Sequence, residues 1–394
     1  MKTNTPSTKI LAKPTLANFA VGVSVTCLTV LTVFSVPTYA QVPEIECSSQ
    51  TEIAKIKKKK SKIKTFVSDF WRMTETRVAN FPTDLKVKGF VVGDPHLENV
   101  DVFYARQAKP AIRLTFNDID EAGYNYLVGD LLKFLAYLPM VKKHGLDLEK
   151  IVEKYVAGLE NQPATPPTEL AALLAMSPSD FLKAERKYVT KQRIKGEEMS
   201  RAKLSKSDFE TQNALRNTQA ISRLADLIAW TDQNSTGSSA GMMRFLFHGK
   251  NQILLADGTL APIGVEGVVE YKELTCTATG NTEKQDLARD LEAFAQYDAR
   301  FLGLPVSQTL LGKQAIVYIN NQHFLARTKG PSPYKDIGIE SASPAVVQAH
   351  SEYLAWFLGK FHREKATNGY IQAVSQNKAM LIKESEIIAK TFLK

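Results

Sequence analysis

The chain has 394 residues, of which 44% are hydrophobic and 23% are charged, with a formal net charge of +9. This length is enough for two lobes with separate cores, and the composition is that of an ordinary globular protein, so we do not expect a disordered chain. A lysine run at residues 55–64 carries much of the charge. It is typical of a solvated helix face, with an anionic membrane or nucleic acid as the alternative partner. We expect no nucleic-acid partner.

Residues 1–40 have the pattern of an export signal. Three lysines precede an apolar stretch over residues 19–36, and Ala40 ends a segment that fits signal-peptidase cleavage. We therefore expect an exported protein, periplasmic or secreted, although residues 19–36 are just long enough to anchor it in a membrane if they are retained. The mature chain keeps two cysteines, Cys47 and Cys276. They form either one disulfide or two unrelated thiols.

Helical and strand patterns follow one another along the rest of the chain. Helices are predicted, from the spacing of apolar residues, at residues 50–80, 128–141, 283–302 and 344–394, with further helices up to about residue 230. Strands are predicted at residues 87–93, 111–117, 244–248, 252–255, 265–274 and 315–327. Prolines within residues 161–168 predict a linker.

These elements predict an α+β fold with a mostly helical lobe and a small antiparallel β lobe. The composition changes near residue 231, where a small-residue turn and strand patterns begin. The predicted domains are a signal peptide at 1–40, an N-terminal helical segment at 41–86, the helical lobe at 87–230, the β lobe at 231–335, and C-terminal helices that pack on the lobes at 336–394.

Two polar segments follow predicted strands in the helical lobe. One contains Asp94 and Asn99, and the other contains Asp118 and Asp120. Side chains at strand ends reach solvent, and carboxylate and amide oxygens suit Mg²⁺, so the segments together predict a site for phosphoryl transfer. Asp94 is then the residue that orients the acceptor hydroxyl and accepts its proton. Asn99 and Asp118 or Asp120 are the metal ligands, whereas each segment alone is equally typical of turn caps.

Two residues beside these segments each have two interpretations. His96 is either a metal ligand or, more simply, a hydrogen-bond partner within the Asp94 loop. Asp130 opens an apolar helix twelve residues beyond Asp118. It either caps that helix or braces the Asp94 loop from below.

A second set of candidate residues lies in the predicted β lobe. The backbone amides of a small-residue turn can cover phosphates, and this turn contains Gly237, Ser239 and Gly241. Lys272 projects from the predicted strand at 265–274 and can pair with α- and β-phosphates. An acid on the following helix should orient this lysine. Glu292 and Glu283 are both candidates.

These motifs resemble a bacterial family, domain of unknown function 2252, over about residues 66–375. The resemblance is carried by Gly93-Asp94-x-His96-x-x-Asn99, Asn117-Asp118-x-Asp120-Glu121, residues 236–245, Tyr271-Lys272-Glu273 and residues 359–362. That family is similar to aminoglycoside phosphotransferases and other protein-kinase-like enzymes. The resemblance implies a two-lobed kinase-like fold. It also implies a circular permutation, because the glycine loop and lysine follow the Asp94 loop in this chain.

The leading interpretation is a kinase-like phosphotransferase that uses Mg²⁺ and ATP or another nucleotide, with an unknown acceptor. The alternative is an exported, catalytically silent kinase-like protein that binds a metal or a small ligand; export and Ser238, where the family typically has glycine, favour it. A dinuclear metallophosphoesterase is less consistent, because its site needs several more histidines in short motifs. A serine hydrolase is disfavoured because no Gly-x-Ser-x-Gly element is present.

Overall fold

The computed structural model describes part of the chain, all of it within one compact unit. The described residues are 67–105, 108–119, 122–141, 145–199, 222–226, 244–254, 260–273, 287–309, 314–319, 322–330 and 332–393. The predictions for the export signal, the lysine run, Cys47 and Cys276 lie outside these ranges. Over the ranges given, no helix combines the length and the apolar character that crossing a membrane requires.

Most of the described residues are helical. The helices are α1 (Val67–Val78), α2 (Leu127–Val141), α3 (Leu148–Leu159), α4 (Thr168–Leu174), α5 (Pro178–Met199), α6 (Leu287–Leu302), α7 (Pro333–Asp336), α8 (Pro344–His362), α9 (Asn368–Gln376) and α10 (Lys378–Leu393). Short 3₁₀ turns lie at Thr83–Leu85, Val306–Gln308 and Ile339–Ser341. The helix predicted at 128–141 is confirmed as α2. The predicted C-terminal helical segment is three helices, because the chain turns after His362 and Thr367 then caps α9.

The strands form three antiparallel sheets. They are β1 (Lys88–Val91), β2 (Val100–Tyr104), β3 (Ile112–Phe116), β4 (Gly123–Tyr126), β5 (Ser222–Asp226), β6 (Arg244–Leu254), β7 (Leu260–Glu273), β8 (Gln314–Ile319) and β9 (Gln322–Lys329). β1 pairs with β4 and β2 pairs with β3, while the other five form one sheet in the order β5-β6-β7-β9-β8. Helices with small antiparallel sheets confirm the predicted α+β class.

The strand predictions need correction in several places. Strands β2 and β4 were not predicted, because they are short and contain polar residues such as Asp101 and Asn125. The predicted strand at 315–327 is a hairpin of β8 and β9, and the two predicted strands at 244–255 are one strand with a bulge between Lys250 and Gln252. β5 lies within a segment that was predicted to be helical. It pairs with β6, because cross-strand hydrogen bonds override weak local helical preference.

Two glycines allow α3 and α8 to cross at close range. A Cβ on Gly158 would lie 2.0 Å from the backbone oxygen of Trp356, and one on Gly359 would lie 2.1 Å from that of Tyr155. No side chain larger than hydrogen fits at such separations. The crossing sets Tyr155 of α3 directly against His362 of α8, with 2.8 Å between the Tyr155 hydroxyl and His362 Nδ1.

Helix α6 packs against the helical part of the molecule through aromatic rings. Tyr297 lies 4.9 Å from both Phe90 of β1 and Phe361 of α8, measured between ring centroids. Phe294 stacks on the same Phe361 at 5.5 Å. Asp298, one residue after Tyr297, accepts a hydrogen bond from the Thr115 hydroxyl of β3 at 3.3 Å. The helix that follows the third strand of the large sheet is therefore anchored beside the β2–β3 ribbon.

Candidate active site

The Asp94 loop joins β1 to β2 and turns at Gly93. Gly93 has a φ of 88°, a left-handed conformation that glycine adopts without a steric penalty. Its carbonyl oxygen accepts hydrogen bonds from Trp71 Nε1 and Lys133 Nζ, each at 3.0 Å. Buried donors from α1 and α2 therefore fix the position of this sharp turn before Asp94.

Asp94 is buried and surrounded by donors. Lys133 Nζ lies 2.8 Å from Asp94 Oδ1, and His96 Nε2 lies 3.3 Å from Asp94 Oδ2. Asn99 Nδ2 donates to the same Oδ2 at 3.1 Å. Burial alone would raise the pKa of Asp94, but the charges and hydrogen bonds of Lys133 and His96 outweigh it and hold the pKa well below its usual range.

Asp130 braces the Asp94 loop from below, as one of its two sequence interpretations predicted. Its carboxylate accepts hydrogen bonds from the backbone N–H groups of Val92 at 2.6 Å and Gly93 at 3.0 Å. His362 Nε2 lies 3.1 Å from the same carboxylate. Asp130 and His362 are both fully buried, so these hydrogen bonds form in a dry environment where an unmade bond is costly.

The hydrogen bonds behind Asp130 continue into the helical core. His362 Nδ1 lies 2.8 Å from the hydroxyl of Tyr155, which lies 3.0 Å from the hydroxyl of Tyr370. With Nε2–H donating to Asp130, Nδ1 is the acceptor for the Tyr155 hydroxyl. The chain of bonds connects three helices, α3, α8 and α9, to the backbone just before Asp94.

The β2–β3 ribbon brings the two polar segments together. Val100 pairs with Phe116 at the end of the ribbon, and the next pair beyond it is held by a hydrogen bond from Asn117 N to Asn99 O at 3.1 Å. Asn99 therefore lies across from the residue before Asp118. Its Nδ2 donates to both the backbone oxygen and the carboxylate of Asp94, which turns its carbonyl oxygen, the ligating atom of an amide, away from Asp94.

A cluster of four charged residues, here called the Asp118 cluster, joins this ribbon to the large sheet. Arg327 Nη1 donates to Asp118 Oδ1 at 2.9 Å, and Lys272 Nζ lies 3.7 Å from the same oxygen. Arg327 Nε also donates to Glu270 Oε2 at 2.7 Å. Exposure of the side chains rises from 0% for Glu270 and 1% for Lys272 to 12% for Arg327 and 29% for Asp118. The cluster opens to solvent at Asp118.

The strand register explains why Arg327 and Glu270 meet. They are directly opposite each other in the pairing of β7 with β9, and Lys272 lies two residues further along β7 on the same face. The sequence analysis identified Lys272 but missed both Arg327 and Glu270. The alternation of Glu270 and Lys272 along an apolar strand was a signal for Glu270, whereas nothing local to Arg327 indicates its partner.

Lys133 is a third residue that the sequence analysis missed. It lies in the apolar run of α2, and its side chain is 1% exposed. Its ammonium group also lies 5.3 Å from the centroid of the Phe70 ring. A lone lysine among apolar helix residues is seldom buried without an anionic partner, so its position in the run was a usable signal for a buried acid nearby.

Several predicted residues stay untested. Asp120, Gly237, Ser239, Gly241 and Glu283 lie outside the described residues. Glu292 is exposed on α6, and its predicted role in orienting Lys272 stays a prediction. The carboxylate of Asp118 lies beside Lys272, with 3.7 Å between Oδ1 and Nζ.

A separate group of His96, Glu98 and Glu340 has ligand atoms within 4.8 Å of one another. However, His96 Nδ1 accepts a hydrogen bond from the backbone N–H of Glu98 at 3.1 Å, and its Nε2 faces Asp94. Both ring nitrogens are thus used within the loop, which confirms the simpler interpretation of His96. Glu98 also has a cationic partner, Lys335, at 3.8 Å.

The Asp94 loop and the Asp118 cluster are thus joined by one ribbon. Together they present an amide oxygen, a half-exposed carboxylate, a buried carboxylate of low pKa and two cations. No protein-family model, curated protein or solved structure matches this chain.

Proposed function

We propose that this protein is a kinase-like phosphotransferase that uses a Mg²⁺-bound nucleotide and transfers a phosphoryl group to an acceptor hydroxyl. The observation that carries the proposal is the position of Lys272 Nζ, 3.7 Å from Asp118 Oδ1. The candidate phosphate-binding lysine and the candidate metal ligand lie 154 positions apart in the sequence. Phosphoryl transfer needs these two groups side by side, because both act on the same phosphates.

The large sheet supports a kinase-like interpretation. Its order is β5-β6-β7-β9-β8, with α6 between β7 and β8 in the chain. In protein kinases the phosphate-binding lysine lies on the third strand of the small lobe, and the next helix carries an acid. Lys272 lies on the third strand of this sheet, β7, and α6 follows with Glu292. The Asp94 loop and helices α1 to α5 precede this sheet in the chain, as a circular permutation and membership of the family with domain of unknown function 2252 would require.

Asn99 and Asp118 are the residues proposed to hold Mg²⁺. Their carbonyl and carboxylate oxygens are hard ligands of the kind that this ion prefers, and Asn99 is fixed through its Nδ2. When bound, Mg²⁺ neutralises phosphate charge and orients the phosphates. Lys272 supplies a further positive charge, and Asp120 and the turn at Gly237, Ser239 and Gly241 are proposed as additional contacts.

The role proposed for Asp94 is to orient the acceptor rather than to act as a strong base. A carboxylate whose pKa lies well below its usual range stays ionised at neutral pH and binds protons weakly. It still accepts a hydrogen bond from an acceptor hydroxyl, and catalysis of phosphoryl transfer is mostly positioning and electrostatics. Asp130 fixes the position of the loop by accepting hydrogen bonds from the N–H groups of Val92 and Gly93.

The test is calorimetric titration of the purified protein with ATP, with and without Mg²⁺. We expect binding that requires Mg²⁺ and that Asp118→Ala abolishes, while Asp84→Ala, at an exposed site, leaves it unchanged. Phosphate transfer or release measured on the same samples should fall by about 10²-fold in Asp94→Asn, because the acceptor hydroxyl is no longer held in position. The proposal is contradicted if ATP binds equally well without Mg²⁺ and to Asp118→Ala.

A second candidate is an exported kinase-like protein that binds a metal or small ligand without turnover. One observation favours it: both candidate acids are already ion-paired, Asp94 with Lys133 and Asp118 with Arg327. Mg²⁺-dependent ligand binding without any phosphate transfer or release, in the wild type as in Asp94→Asn, would select this candidate.

A further inference from the structure

Arg327 links the interior of the large sheet to the candidate metal ligand. Its Nε is held by the fully buried Glu270 at 2.7 Å, while its Nη1 donates to Asp118 Oδ1 at 2.9 Å and lies 3.3 Å from the backbone oxygen of Asn117. The guanidinium group is thus fixed on its buried side and meets Asp118 on its open side. Asp118 carries the candidate metal site, so Arg327 is next to any cation that binds there.

We propose that Arg327 is an exchangeable counter-ion of Asp118, which holds this carboxylate in the ligand-free protein and binds nucleotide phosphate when a divalent metal takes the carboxylate. This inference rests on the proposed function and adds a phosphate-binding residue and a coupling to it. The exchange makes metal and nucleotide bind cooperatively. The metal displaces Arg327 from Asp118 and frees it for phosphate, and the phosphate neutralises the positive charge that repels the metal.

The charges of the Asp118 cluster support this exchange. Arg327 and Lys272 both lie against the same oxygen of Asp118. A divalent cation alone would have to approach that oxygen against two positive charges, and such repulsion is strong in a partly buried site. Nucleotide phosphates bring negative charge for both cations, so the repulsion becomes attraction when metal and nucleotide arrive together.

The chemistry of arginine suits both partners. A guanidinium group pairs with a carboxylate and with a phosphate in the same planar, two-pronged geometry. The Nε contact with Glu270 keeps the group in place while Nη1 changes partner. Removal of Arg327 alone would take away the cation that lies 2.7 Å from the buried Glu270 and risk unfolding, so the informative variant is the double change Glu270→Gln with Arg327→Gln.

The experiment measures the affinity of Mn²⁺ for the full mature chain by electron paramagnetic resonance, alone and with a non-hydrolysable imido analogue of ATP. The matched control is Arg77→Gln with Glu384→Gln, which removes another Arg–Glu contact, of 2.6 Å, between α1 and α10. Arg327→Lys is a milder second variant that keeps the charge but cannot contact Glu270 and Asp118 through two separate nitrogens. Thermal unfolding of every variant shows whether it is folded.

We expect opposite changes in the two affinities. The Glu270→Gln/Arg327→Gln protein should bind Mn²⁺ alone about 3- to 10-fold more tightly and the Mn²⁺–nucleotide complex about 10-fold more weakly than the wild type. Arg327→Lys should change both in the same directions by less, and the control pair should change neither. If the double variant does not fold, Arg327→Lys decides by the same criterion.

Two other outcomes overturn the inference and differ in what they say of the function. In the first, the double variant has the same two affinities as the wild type, or loses both of them together. Arg327 then has a structural role only, and the proposed phosphotransferase stays intact. A wild-type protein that binds no Mn²⁺–nucleotide complex would overturn the proposed function and this inference together.

Discussion

The Asp94 loop and the Asp118 cluster use acidic residues at strand ends in different ways. Asp94 is almost fully buried and held by Lys133, His96 and Asn99, and the loop around it is fixed by Asp130. Asp118 is 29% exposed, and its described contacts are ion pairs with Arg327 and Lys272. The first region combines a buried ion pair with hydrogen bonds to fixed backbone groups, whereas the second is built from charges on long side chains.

The difference assigns different roles to the two regions. Hydrogen bonds to backbone N–H groups have one geometry and are costly to break when buried, so the Asp94 loop is suited to hold a reacting group still. Ion pairs of a half-exposed carboxylate are individually weak and can change partner, so the Asp118 cluster is suited to bind and release a charged ligand. The following predictions test this contrast.

The largest expected effect is on Asp130. Asp130→Ala leaves the N–H groups of Val92 and Gly93 and the ring of His362 without their buried acceptor, so we expect the free energy of unfolding to fall by roughly 3–5 kcal/mol. Asp118→Ala should lower it by less than about 1 kcal/mol, because Arg327 keeps Glu270. Urea unfolding measures both, and similar losses for the two variants would contradict the contrast.

The two buried lysines should respond differently to the same change. Lys133→Met leaves Asp94 buried without its closest cation, and we expect a loss of roughly 2–4 kcal/mol in the free energy of unfolding. Lys272→Met should cost about 1 kcal/mol or less, since Asp118 retains Arg327 and partial hydration, yet it should weaken nucleotide binding. Chemical unfolding of the pair checks this, and a larger loss for Lys272→Met would reverse the assignment.

The helix crossing beneath the Asp94 loop is the third test. In Gly359→Ala the added methyl meets the backbone oxygen of Tyr155 at 2.1 Å, and we expect a loss of roughly 2–3 kcal/mol from overpacking. Gly330→Ala is the matched control, because nothing lies within 4 Å of its added Cβ. Equal unfolding temperatures for the two variants would show that α3 and α8 can move apart to accommodate the methyl group.

The smallest expected effect concerns Asp298, behind the β2–β3 ribbon. Burial raises the pKa of Asp298 from its ordinary 3.8 to about 7, against the hydrogen bond from Thr115, and its Oδ2 has no hydrogen-bond partner among the residues that the structure describes. The folded state therefore prefers the protonated acid, so its contribution to stability is present below pH 4 and is lost as the pH rises to 7.

Asp298→Asn should therefore raise the free energy of unfolding at pH 7 by roughly 1–3 kcal/mol and leave it nearly unchanged at pH 4. It should also flatten, without abolishing, the fall in stability between these values, because burial raises the pKa of Asp101 to about 7 as well. Asp84→Asn, at an exposed site, is the control. If the free energy of unfolding of Asp298→Asn falls between pH 4 and pH 7 as steeply as that of the wild type, Asp298 does not titrate as a buried acid.

The parts of the site that follow local rules could be predicted from the sequence. Gly93 marked the turn, Asp94 and Asn99 followed a strand, and Asp130 opened an apolar helix. Each of these signals depends on residues close together in the chain. The predicted contact between Asp130 and the loop is confirmed. Only short strands separate the loop from helix α2 in the chain, so the first turn of α2 must lie close to the loop.

The parts that depend on long-range pairing could not be predicted. Arg327 reaches Asp118 only because β9 pairs with β7 in a register that sets it opposite Glu270, and no local pattern fixes that register. Lys133 meets Asp94 because α2 packs under the loop. Strands β2 and β4 were missed because their four or five residues carry polar side chains at positions that the fold buries, such as Asp101 and Asn125.

The most direct test of the account is a crystal of the protein with Mn²⁺ and a non-hydrolysable ATP analogue, measured at the manganese absorption edge. We expect an anomalous peak at a Mn²⁺ ion that is coordinated by the side-chain oxygens of Asn99 and Asp118. The phosphate oxygens should contact Lys272 and Arg327. A peak among His96, Glu98 and Glu340 instead, or a nucleotide bound away from Lys272, would contradict it.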